Sequence, residues 1–417
     1  MLKYASDCRS RGNGVAGNNA ASIADKFNCE VTILSEEAFP EYSACALPYY
    51  LSGEIARQRI FLNQDKRSSE DGIRTIFGKK VKRIHLKNHE VIFEGGGLHY
   101  EKLIIATGAE AIIPGIAGVD KAGVFTFKTL ADVDKILAHD KRTVAIIGSG
   151  FIGVEVGLAL KRRGCEVILI EVLDRILPRA FDRKPSDIIR TILSEYGIEV
   201  LTEERVVCIL GGKQVEGIET ENRKIRCDTA ILSTGMRPRV DLARSAGIEI
   251  GELGGIVTNE HMLTNIEDIY ACGDCVESRD AVTDKNSLQL LWPNAVSQGK
   301  TAGYNCVGIH SKYRGFVNIV GVDVFGTHVA SIGHTGADFE GAGHIRVIEK
   351  AYAKHSHWII VKDGAIVGAQ FIGKTKDAGV ISQAIWKRTC LEGIEETASG
   401  QKLLTINPLF TALERYL

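Results

Sequence analysis

The stretch TVAIIGSGFIGVEVGLALKRRGCEVILIE, residues 143–171, decides the fold that this sequence predicts. Its apolar run at 144–147 is typical of a strand buried on both faces of a parallel sheet. Three glycines in the pattern G-x-G-x-x-G follow, and then a segment of helical character from Val154 to Arg163. A second apolar run at 166–170 ends at Glu171. The order strand, glycine turn, helix, strand and acid predicts a dinucleotide-binding unit.

Each glycine of this pattern has its own physical role. Gly148 makes the tight turn, Gly150 allows a pyrophosphate to approach the backbone, and Gly153 allows the helix to pack closely on the strand. The helix N-terminus presents N–H groups and the positive end of its dipole to the phosphates. Glu171 stands at the spacing expected for the acid that binds an adenosine ribose. A glycine-rich turn in some other α/β protein would not place all these features in register.

The composition limits the classes of function. With 417 residues, the chain is long enough for two to three domains, and its 45% hydrophobic and 25% charged content is ordinary for a globular protein. A formal net charge of -1 gives no support to a nucleic-acid or membrane partner, and no apolar run has the length of a membrane span. The ten scattered cysteines do not resemble a secreted disulfide scaffold, so we expect a cytoplasmic protein with reduced thiols.

A second glycine pattern lies near the start of the chain, in Gly12-Asn13-Gly14-Val15-Ala16-Gly17. A helix is predicted over 18–27 and a strand over 31–34, after which the ribose acid is Glu36 or Glu37. The residues before Gly12 are polar where a buried strand would be apolar, which departs from the pattern.

Each glycine pattern is followed, further along the chain, by an apolar strand that ends in Thr-Gly. The first ends in Ala106-Thr107-Gly108 and the second in Ser233-Thr234-Gly235. The repeated order predicts an internal repeat of two dinucleotide-binding modules. Alternation of apolar and polar residues returns from Gly315 onward and predicts a sheet with helices.

Two other motifs point to metal or redox chemistry, but each has a simpler explanation. Cys272-Gly273-Asp274-Cys275 has C-x-x-C spacing, yet the chain has no second such pair, and a strand ending in Gly-Asp accounts for it. His355 and His357 have no evident third ligand. We therefore interpret both histidines as solvent-facing and predict no metal site.

Taken together, these motifs resemble the flavoprotein pyridine nucleotide-disulfide oxidoreductases over nearly the whole chain. The markers are the two glycine patterns, the two Thr-Gly strands, Gly273-Asp274 and Leu291-Trp292-Pro293-Asn294-Ala295. The resemblance implies that the first module binds FAD and the second binds NAD(P)H. It also implies that Asp274 bonds FAD near its ribityl chain, that the helix after Ala295 points its N-terminus at the flavin, and that Phe151 covers the flavin face.

The resemblance implies an α/β fold with two Rossmann-like dinucleotide-binding domains plus a C-terminal α+β dimerisation domain. The FAD-binding domain would comprise 1–115 and 246–314, the NAD(P)H-binding domain 116–245, and the C-terminal domain 315–417. The cofactor-binding residues that it indicates are Gly12, Gly14, Gly17, Glu36, Thr107, Gly108, Gly148, Gly150, Phe151, Ile152, Gly153, Glu171, Gly235, Gly273, Asp274 and Ala295. Since Glu171 would repel a 2′-phosphate, we expect NADH to be preferred to NADPH by about tenfold or more.

Cys45 indicates the branch of the family. The segment Cys45-Ala46-Leu47-Pro48-Tyr49-Tyr50 has one cysteine where dithiol members carry a C-x4-C pair, and it resembles the single-cysteine branch of coenzyme A disulfide reductases, NADH oxidases, NADH peroxidases and polysulfide reductases. In that branch the cysteine lies beside the flavin and forms a mixed disulfide or a sulfenic acid. The resemblance thus implies an FAD-dependent NAD(P)H oxidoreductase in which catalytic Cys45 reduces a low-molecular-weight disulfide or polysulfide. The alternative is an inert thiol in a flavoprotein that passes electrons to oxygen or to a carrier protein such as rubredoxin or ferredoxin.

Three departures from the branch bear on this interpretation. Val15 and Ala16 leave no histidine where peroxidases and water-forming oxidases carry one, which counts against peroxide chemistry. Glu41 and Ala44 are unusual neighbours of the cysteine. The tail at 404–410 lacks the tyrosine that coenzyme A disulfide reductases place there.

A nucleophilic Cys45 requires a lowered thiol pKa, and a hydroxyl of Tyr49 or Tyr50 is a candidate cause besides the flavin itself. The expected partners are a small-molecule disulfide, polysulfide or oxygen, and a second copy of the chain, because in relatives the partner subunit helps to shape the substrate site.

Overall fold

The computed structural model describes residues 3–8, 14–62, 72–352, 355–376 and 378–390. The predicted cofactor ligand Gly12 and the tail at 404–410 lie outside the described residues.

Two five-stranded sheets, parallel throughout, form the centre of the molecule. The strands of the first sheet, in spatial order, are Ile269–Ala271, Lys102–Ile105, Lys3–Cys8, Glu30–Ser35 and Ile73–Ile76. Those of the second sheet are Ile198–Leu201, Glu166–Ile170, Thr143–Ile147, Thr229–Leu232 and Val124–Thr126. The apolar runs are buried because helices cover both faces of such sheets.

The strand order confirms the internal repeat. In each sheet the strand before the glycine pattern lies between the strand that precedes the acid and the strand that leads to Thr-Gly. The polar composition of Lys3–Cys8 does not prevent this, since the strand pairs on both sides through its backbone.

Eight α-helices lie within the described residues. They are α1 (Val15–Lys26), α2 (Leu47–Ser52), α3 (Leu130–Ala138), α4 (Phe151–Arg162), α5 (Arg183–Glu195), α6 (Asp241–Ser245), α7 (Trp292–Cys306) and α8 (Ala378–Trp386). Helices α1 and α4 follow the two glycine patterns, and both begin three residues earlier than the sequence predicts. The reason is that the last residues of each glycine pattern already belong to the first helical turn.

The C-terminal part contains a five-stranded antiparallel sheet that packs against α8. Its strands, in spatial order, are Ile319–Val324, Thr327–Gly333, Ala365–Ile372, His355–Lys362 and Ile345–Tyr352. Smaller sheets consist of Val81–His85, Glu90–Phe93 and Gly96–His99; of Val206–Leu210, Gly217–Thr220 and Lys224–Arg226; of Ile256–Val257, Val276–Arg279 and Asn286–Ser287; and of Ala109–Ala111 and Met236–Pro238.

The structure corrects the interpretation of His357 as solvent-facing and supports the interpretation of Cys272 and Cys275 as part of a strand end. His357 is buried, not solvent-facing, because it lies opposite Phe371 on the neighbouring strand, and burial lowers the pKa of its imidazole to about 4. Cys272 and Cys275 are both fully buried, and burial raises the pKa of Cys275. The two thiols lie just after a buried strand, Ile269–Ala271, as the Gly-Asp interpretation of this segment expects.

Candidate active site

A cavity of about 340 Å³ lies where the two parallel sheets, their helices and the C-terminal sheet meet. The first turns of α1, α4 and α7 all reach its wall, and so do the turn around Cys45, the loop after Val124–Thr126 and Asp274. The residues that line the cavity include Val15, Tyr42, Cys45, Lys128, Phe151, Ile152, Glu155, Asp274, Trp292, Ala295, Val320 and Gly321. Of the sequence-predicted site residues, the structure brings Gly14, Cys45, Phe151, Ile152, Asp274 and Ala295 together here.

The position of Cys45 is fixed by its attachment to the second parallel sheet. Cys45 lies in a short 3-10 turn, Ala44–Ala46, which runs directly into α2. The carbonyl of Leu51 in α2 accepts a hydrogen bond from Arg163 at the end of α4. The hydroxyl of Tyr50 donates to Asp134 of α3 at 2.9 Å. The segment that carries Cys45 lies between two strands of the first sheet, Glu30–Ser35 and Ile73–Ile76. Helices α3 and α4, which belong with the second sheet, hold it in place.

The protein's own residues raise the pKa of the Cys45 thiol. Burial is the main cause, and the carboxylate of Glu155 adds to it, while Lys128 acts in the opposite direction. The proposed role of a tyrosine hydroxyl is wrong, because Tyr50 donates to Asp134 and neither Tyr49 nor Tyr50 lines the cavity. The thiol is nevertheless exposed to the cavity and accessible to a substrate.

Asp274 follows a tight turn that only glycine can make without strain. Gly273 has φ +83°, and a Cβ at that position would lie 2.8 Å from the Cβ of Ala16 in α1. Asp274 accepts a hydrogen bond from Lys128 at 3.3 Å, and this ion pair forms part of the cavity wall. The close approach of strand end and helix therefore places a carboxylate beside the N-terminus of α1.

The glycine turn of the second sheet fits a bound pyrophosphate. A Cβ at Gly148, which has φ +102°, would collide with the carbonyl oxygen of Ser233, and one at Gly153 would collide with the carbonyl oxygen of Gly148. Gly150, in contrast, faces open space. No side chain caps α4, and its first turn has no acidic residue, so its N–H groups are available to an anion.

The N-termini of helices α1 and α7, like that of α4, have backbone N–H groups that are available to an anion. Neither has a side-chain cap or an acidic residue in its first turn, and Val15 and Ala295 place those turns on the cavity wall. These uncapped N-termini suit the phosphates of one dinucleotide and the electron-rich edge of a flavin. Gly17 is buried within α1.

The two acids at the strand ends occupy equivalent places but have different partners. Glu36 and Glu171 each come one residue after the strand that precedes them, which supports Glu36 over Glu37 as the counterpart. Glu36 is paired with Arg239 at 3.0 Å. Glu171 is buried and accepts hydrogen bonds from the backbone N–H and the hydroxyl of Ser149, at 2.9 and 2.8 Å.

The Thr-Gly segment of the first unit contributes structure near Glu36. Thr107 donates its hydroxyl hydrogen bond to the carbonyl of Arg239 at 2.6 Å, which holds the backbone of the arginine that pairs with Glu36. Gly108 and Gly235 follow with φ of +66° and +114°. Each glycine comes three residues after the end of its strand, at the carboxyl edge of the sheet, where ligands of such folds bind.

Sequence reasoning gave no role to two charged residues of the cavity, Lys128 and Glu155. Glu155 lies one helical turn after Phe151, and that spacing places it on the same face of α4 as a predicted cofactor residue. Burial raises the pKa of the Glu155 carboxyl to about 7. Lys128 follows no pattern in the sequence, because its position depends on how the two sheets pack.

Comparisons with known proteins agree with this geometry. The sequence model of the family described as pyridine nucleotide-disulphide oxidoreductase matches residues 12–299. The chain is 32% identical over 412 residues to an NADH oxidase of Methanocaldococcus jannaschii, covering 91% of each protein. It is 30% identical over 342 residues to a CoA-dependent NAD(P)H sulfur oxidoreductase of Pyrococcus furiosus, covering 78% of this chain and 75% of that protein. The solved structure of an NAD-dependent persulfide reductase from A. fulgidus superposes with a TM-score of 0.88 at 26% identity, covering all of this chain and 83% of the other.

A membrane span would need a helix that is both long and apolar, and no helix in the described ranges is both.

Proposed function

We propose, for a chain that belongs to the pyridine nucleotide-disulphide oxidoreductase family, that Cys45 reduces a low-molecular-weight disulfide or polysulfide with electrons drawn from NADH. Membership makes the chain an FAD-dependent oxidoreductase of NAD(P)H. The observation that carries the proposal is the exposed Cys45 thiol on the same cavity wall as the N-termini of α1, α4 and α7. The Pyrococcus furiosus relative is named for sulfur reduction, which supports this substrate class.

The fit of the cofactors rests on the three uncapped helices. FAD, when bound, supplies a two-electron relay between the nicotinamide and sulfur. In the proposal Gly14, Gly17, Glu36, Thr107, Gly108, Gly273, Asp274 and Ala295 hold FAD, and Gly148, Gly150, Ile152, Gly153, Glu171 and Gly235 hold NADH. Phe151 packs against the buried ring of Phe181 on one side, at a centroid distance of 6.3 Å, and lines the cavity on the other. It is therefore placed to cover a planar ligand in the cavity.

The chemical step at Cys45 is thiol–disulfide exchange. The thiolate attacks one sulfur of the substrate, a new S–S bond forms, and the substrate S–S bond breaks with its electron pair on the departing sulfur. That sulfur takes up a proton and leaves as a thiol. Two electrons and a proton then convert the mixed disulfide back to the Cys45 thiolate and release the second thiol. The ring of Trp292 and the side chain of Val320 form part of the wall of the cavity in which this exchange would take place.

The remaining parts of the proposal concern the whole chain. We divide it into 1–115 with 246–314, 116–245 and 315–417, and each of the three large sheets falls within one part. We also propose a homodimer formed through the C-terminal part, and a cytoplasmic location. Nine cysteines, Cys29 and those that follow it in the chain, are free thiols, which supports a reducing compartment.

The test is replacement of the thiol. Cys45→Ser keeps the volume of the side chain, so FAD binding and NADH-dependent FAD reduction should persist. Turnover of a disulfide or polysulfide should fall by at least about a hundredfold, measured as anaerobic NADH consumption with each acceptor. Cys390→Ser is the matched control, because Cys390 is also exposed and does not line the cavity. Undiminished disulfide turnover in Cys45→Ser would overturn the proposal.

One observation favours a second function. The raised pKa of Cys45 keeps much of it in the unreactive thiol form, as expected of an inert cysteine in a flavoprotein that passes electrons to oxygen or to a carrier protein. The Methanocaldococcus jannaschii relative is named NADH oxidase. In that case Cys45→Ser would leave NADH consumption with oxygen or a carrier as the main activity, at the rate of the unaltered protein.

A further inference from the structure

The ring of Phe151 lies between two parts of the proposed cofactor site. Phe151 is the first residue of α4, directly after Gly150 of the glycine turn, and its side chain lines the cavity. A dinucleotide whose pyrophosphate binds at the N-terminus of α4 would bring its nicotinamide into the cavity beside this ring. The side chain is half-buried, so protein covers one side of it and the cavity lies on the other.

The group behind Phe151 is the ring of Phe181. The two ring centroids are 6.3 Å apart and the rings are tilted by 44°, a geometry typical of aromatic pairs. Phe181 has no exposed surface. It belongs to the loop 171–182, between the strand Glu166–Ile170 and α5. Its ring therefore limits how far Phe151 can move away from the cavity.

Hydrogen bonds on both sides fix the position of Phe181. Its backbone N–H donates to the carbonyl of Leu177 at 3.0 Å, and its carbonyl accepts from Arg175 at 3.1 Å. The next residue, Asp182, is joined to Gln370 of the C-terminal sheet by two hydrogen bonds. The N–H of Asp182 donates to the amide oxygen at 3.1 Å, and its carboxylate accepts from the amide nitrogen at 2.8 Å. Phe151 consequently packs against a surface that is anchored to two parts of the molecule.

We propose that Phe181 is a positioning residue that keeps the ring of Phe151 over the cavity and thereby limits the affinity of the protein for the nicotinamide end of NADH or NAD⁺. This inference rests on the part of the proposed function that places NADH at α4. When the ring covers the cavity, the nicotinamide has to displace it. The apparent Kd therefore rises as the fraction of protein with an uncovered cavity falls. A smaller side chain at position 181 leaves space behind Phe151 and raises that fraction.

Equilibrium binding to Phe181→Leu tests the inference without turnover. Calorimetric titration of the oxidised, FAD-loaded protein with NAD⁺ should give a Kd below the wild-type value by at least about twofold and up to about tenfold. ADP-ribose, which has the adenosine and the pyrophosphate but no nicotinamide, should bind both proteins with the same Kd, because its binding does not require the ring to move. The rate of FAD reduction at saturating NADH should stay within about twofold of the wild-type rate.

Phe371→Leu is the matched control. Phe371 is also fully buried, and its ring lies 6.3 Å from that of His357 at a tilt of 40°, but it does not line the cavity. Both variants should lose thermal stability, because each replaces a buried ring with a smaller side chain, but only Phe181→Leu should bind NAD⁺ more tightly. Phe181→Met is closer to the wild type in volume and should change the Kd in the same direction by a smaller factor, which keeps the test open if Phe181→Leu folds poorly.

A double variant shows whether the effect passes through Phe151. In a Phe151→Ala background the covering ring is absent, so Phe181→Leu should cause no further change in the Kd for NAD⁺. The same decrease in that background, an equal decrease for ADP-ribose, or an unchanged Kd for NAD⁺ in Phe181→Leu would each overturn the inference.

The binding results are distinct from the test of the thiol. If the wild-type protein does not bind ADP-ribose, the NADH site at α4 is wrong and the inference fails with it. If Cys45→Ser retains disulfide turnover, the proposed thiol chemistry fails, and the Kd values for NAD⁺ still decide whether Phe181 positions Phe151.

Discussion

The two parallel sheets have the same strand order around their glycine turns, but the acids that follow one strand of each sheet, Glu36 and Glu171, differ in charge balance. Glu36 of the first unit is paired with Arg239 at 3.0 Å. Within the described residues, Glu171 of the second unit accepts only from neutral donors, namely Ser149 and the N–H of Leu173 at 3.1 Å. The second site therefore keeps a negative charge that the first has neutralised. The partners of the acid, and not the strand order, therefore distinguish the two units.

The two units also differ in their attachment to the C-terminal sheet. Asp280, beyond the first sheet, binds His334 at 3.2 Å, and His334 also binds Asp338 at 3.3 Å. Asp182, at the start of α5 in the second unit, accepts a hydrogen bond from the amide of Gln370 at 2.8 Å. One attachment depends on a titrating histidine and the other on an amide that does not titrate, so a change of pH between 6 and 9.5 should affect only the first.

Gly148→Ala should have the largest effect and should be confined to the second unit. The new Cβ would collide with the carbonyl of Ser233 and would require a left-handed backbone at φ +102°. Gly164→Ala is the matched control, because Gly164 also has a positive φ of +84° but meets no atom within 4 Å. We expect Gly148→Ala to cost roughly 1–3 kcal/mol more in unfolding free energy than the control and to abolish saturable FAD reduction by NADH. FAD content should stay at the wild-type level, and equal behaviour of the two variants would refute the steric argument.

The pH dependence of stability should separate the two attachments. Burial disfavours the charged form of His334, but its hydrogen bonds to Asp280 and Asp338 outweigh this and raise its pKa to about 9. Burial likewise opposes ionisation of Asp280, but the hydrogen bond from His334 outweighs it and lowers the pKa to about 2. The stabilisation by His334 is therefore complete below about pH 6.5 and is lost as the pH rises through 9, while that by Asp280 is complete above about pH 4 and is lost as the pH falls through 2.

The measurement is thermal unfolding between pH 6 and 9.5. His334→Gln should remove roughly 1–3 kcal/mol of stability at pH 6 and much less at pH 9.5. Gln370→Leu should lower Tm by the same amount at both pH values, because its hydrogen bond does not titrate. A pH-independent loss in His334→Gln would contradict the assignment of this contact as an ion pair.

The cofactor preference should follow the charge at Glu171. Wild-type kcat/KM should favour NADH over NADPH by about tenfold or more, or roughly 1.4 kcal/mol, and Glu171→Ala should narrow the gap by helping NADPH. Arg175 is already engaged by Asp174 at 2.8 Å and by the carbonyl of Phe181, so it is not positioned to attract the phosphate. Glu36→Ala is the matched change in the first unit, and it should leave the ratio of kcat/KM for NADH to kcat/KM for NADPH unaltered. Equal efficiency of both cofactors in the wild type would contradict the argument.

The glycine patterns and their strands were predictable because they are local. Residues 143–171 contain in order the features of one unit, and the spacing of Gly148, Gly150 and Gly153 follows from the geometry of a single turn. The repeat was predictable for the same reason. The resemblance to a known family implied that Cys45 and Asp274, which are far apart in the sequence, both lie at the flavin, and the structure places both on the wall of one cavity.

Features that depend on packing between the units were not predictable. Nothing near Lys128 in the sequence shows that it meets Asp274, because the two residues come from different loops. The tyrosine prediction failed for a similar reason, since Asp134 of the second unit takes the hydroxyl of Tyr50. The burial of His357 depends on Phe371 in a neighbouring strand, and alternation within one strand does not identify that partner.

The most direct test of the central claim is an anaerobic titration of the FAD-loaded protein with NADH, followed by the flavin absorbance. If Cys45 is redox-active and is isolated in an oxidised form, such as a mixed disulfide, complete reduction should consume about two equivalents of NADH per flavin, because FAD and the cysteine site each accept two electrons. Cys45→Ser should consume about one. An end point of about one equivalent in the wild type, unchanged after treatment with the oxidised acceptor, would show that only the flavin takes up electrons and would contradict the account.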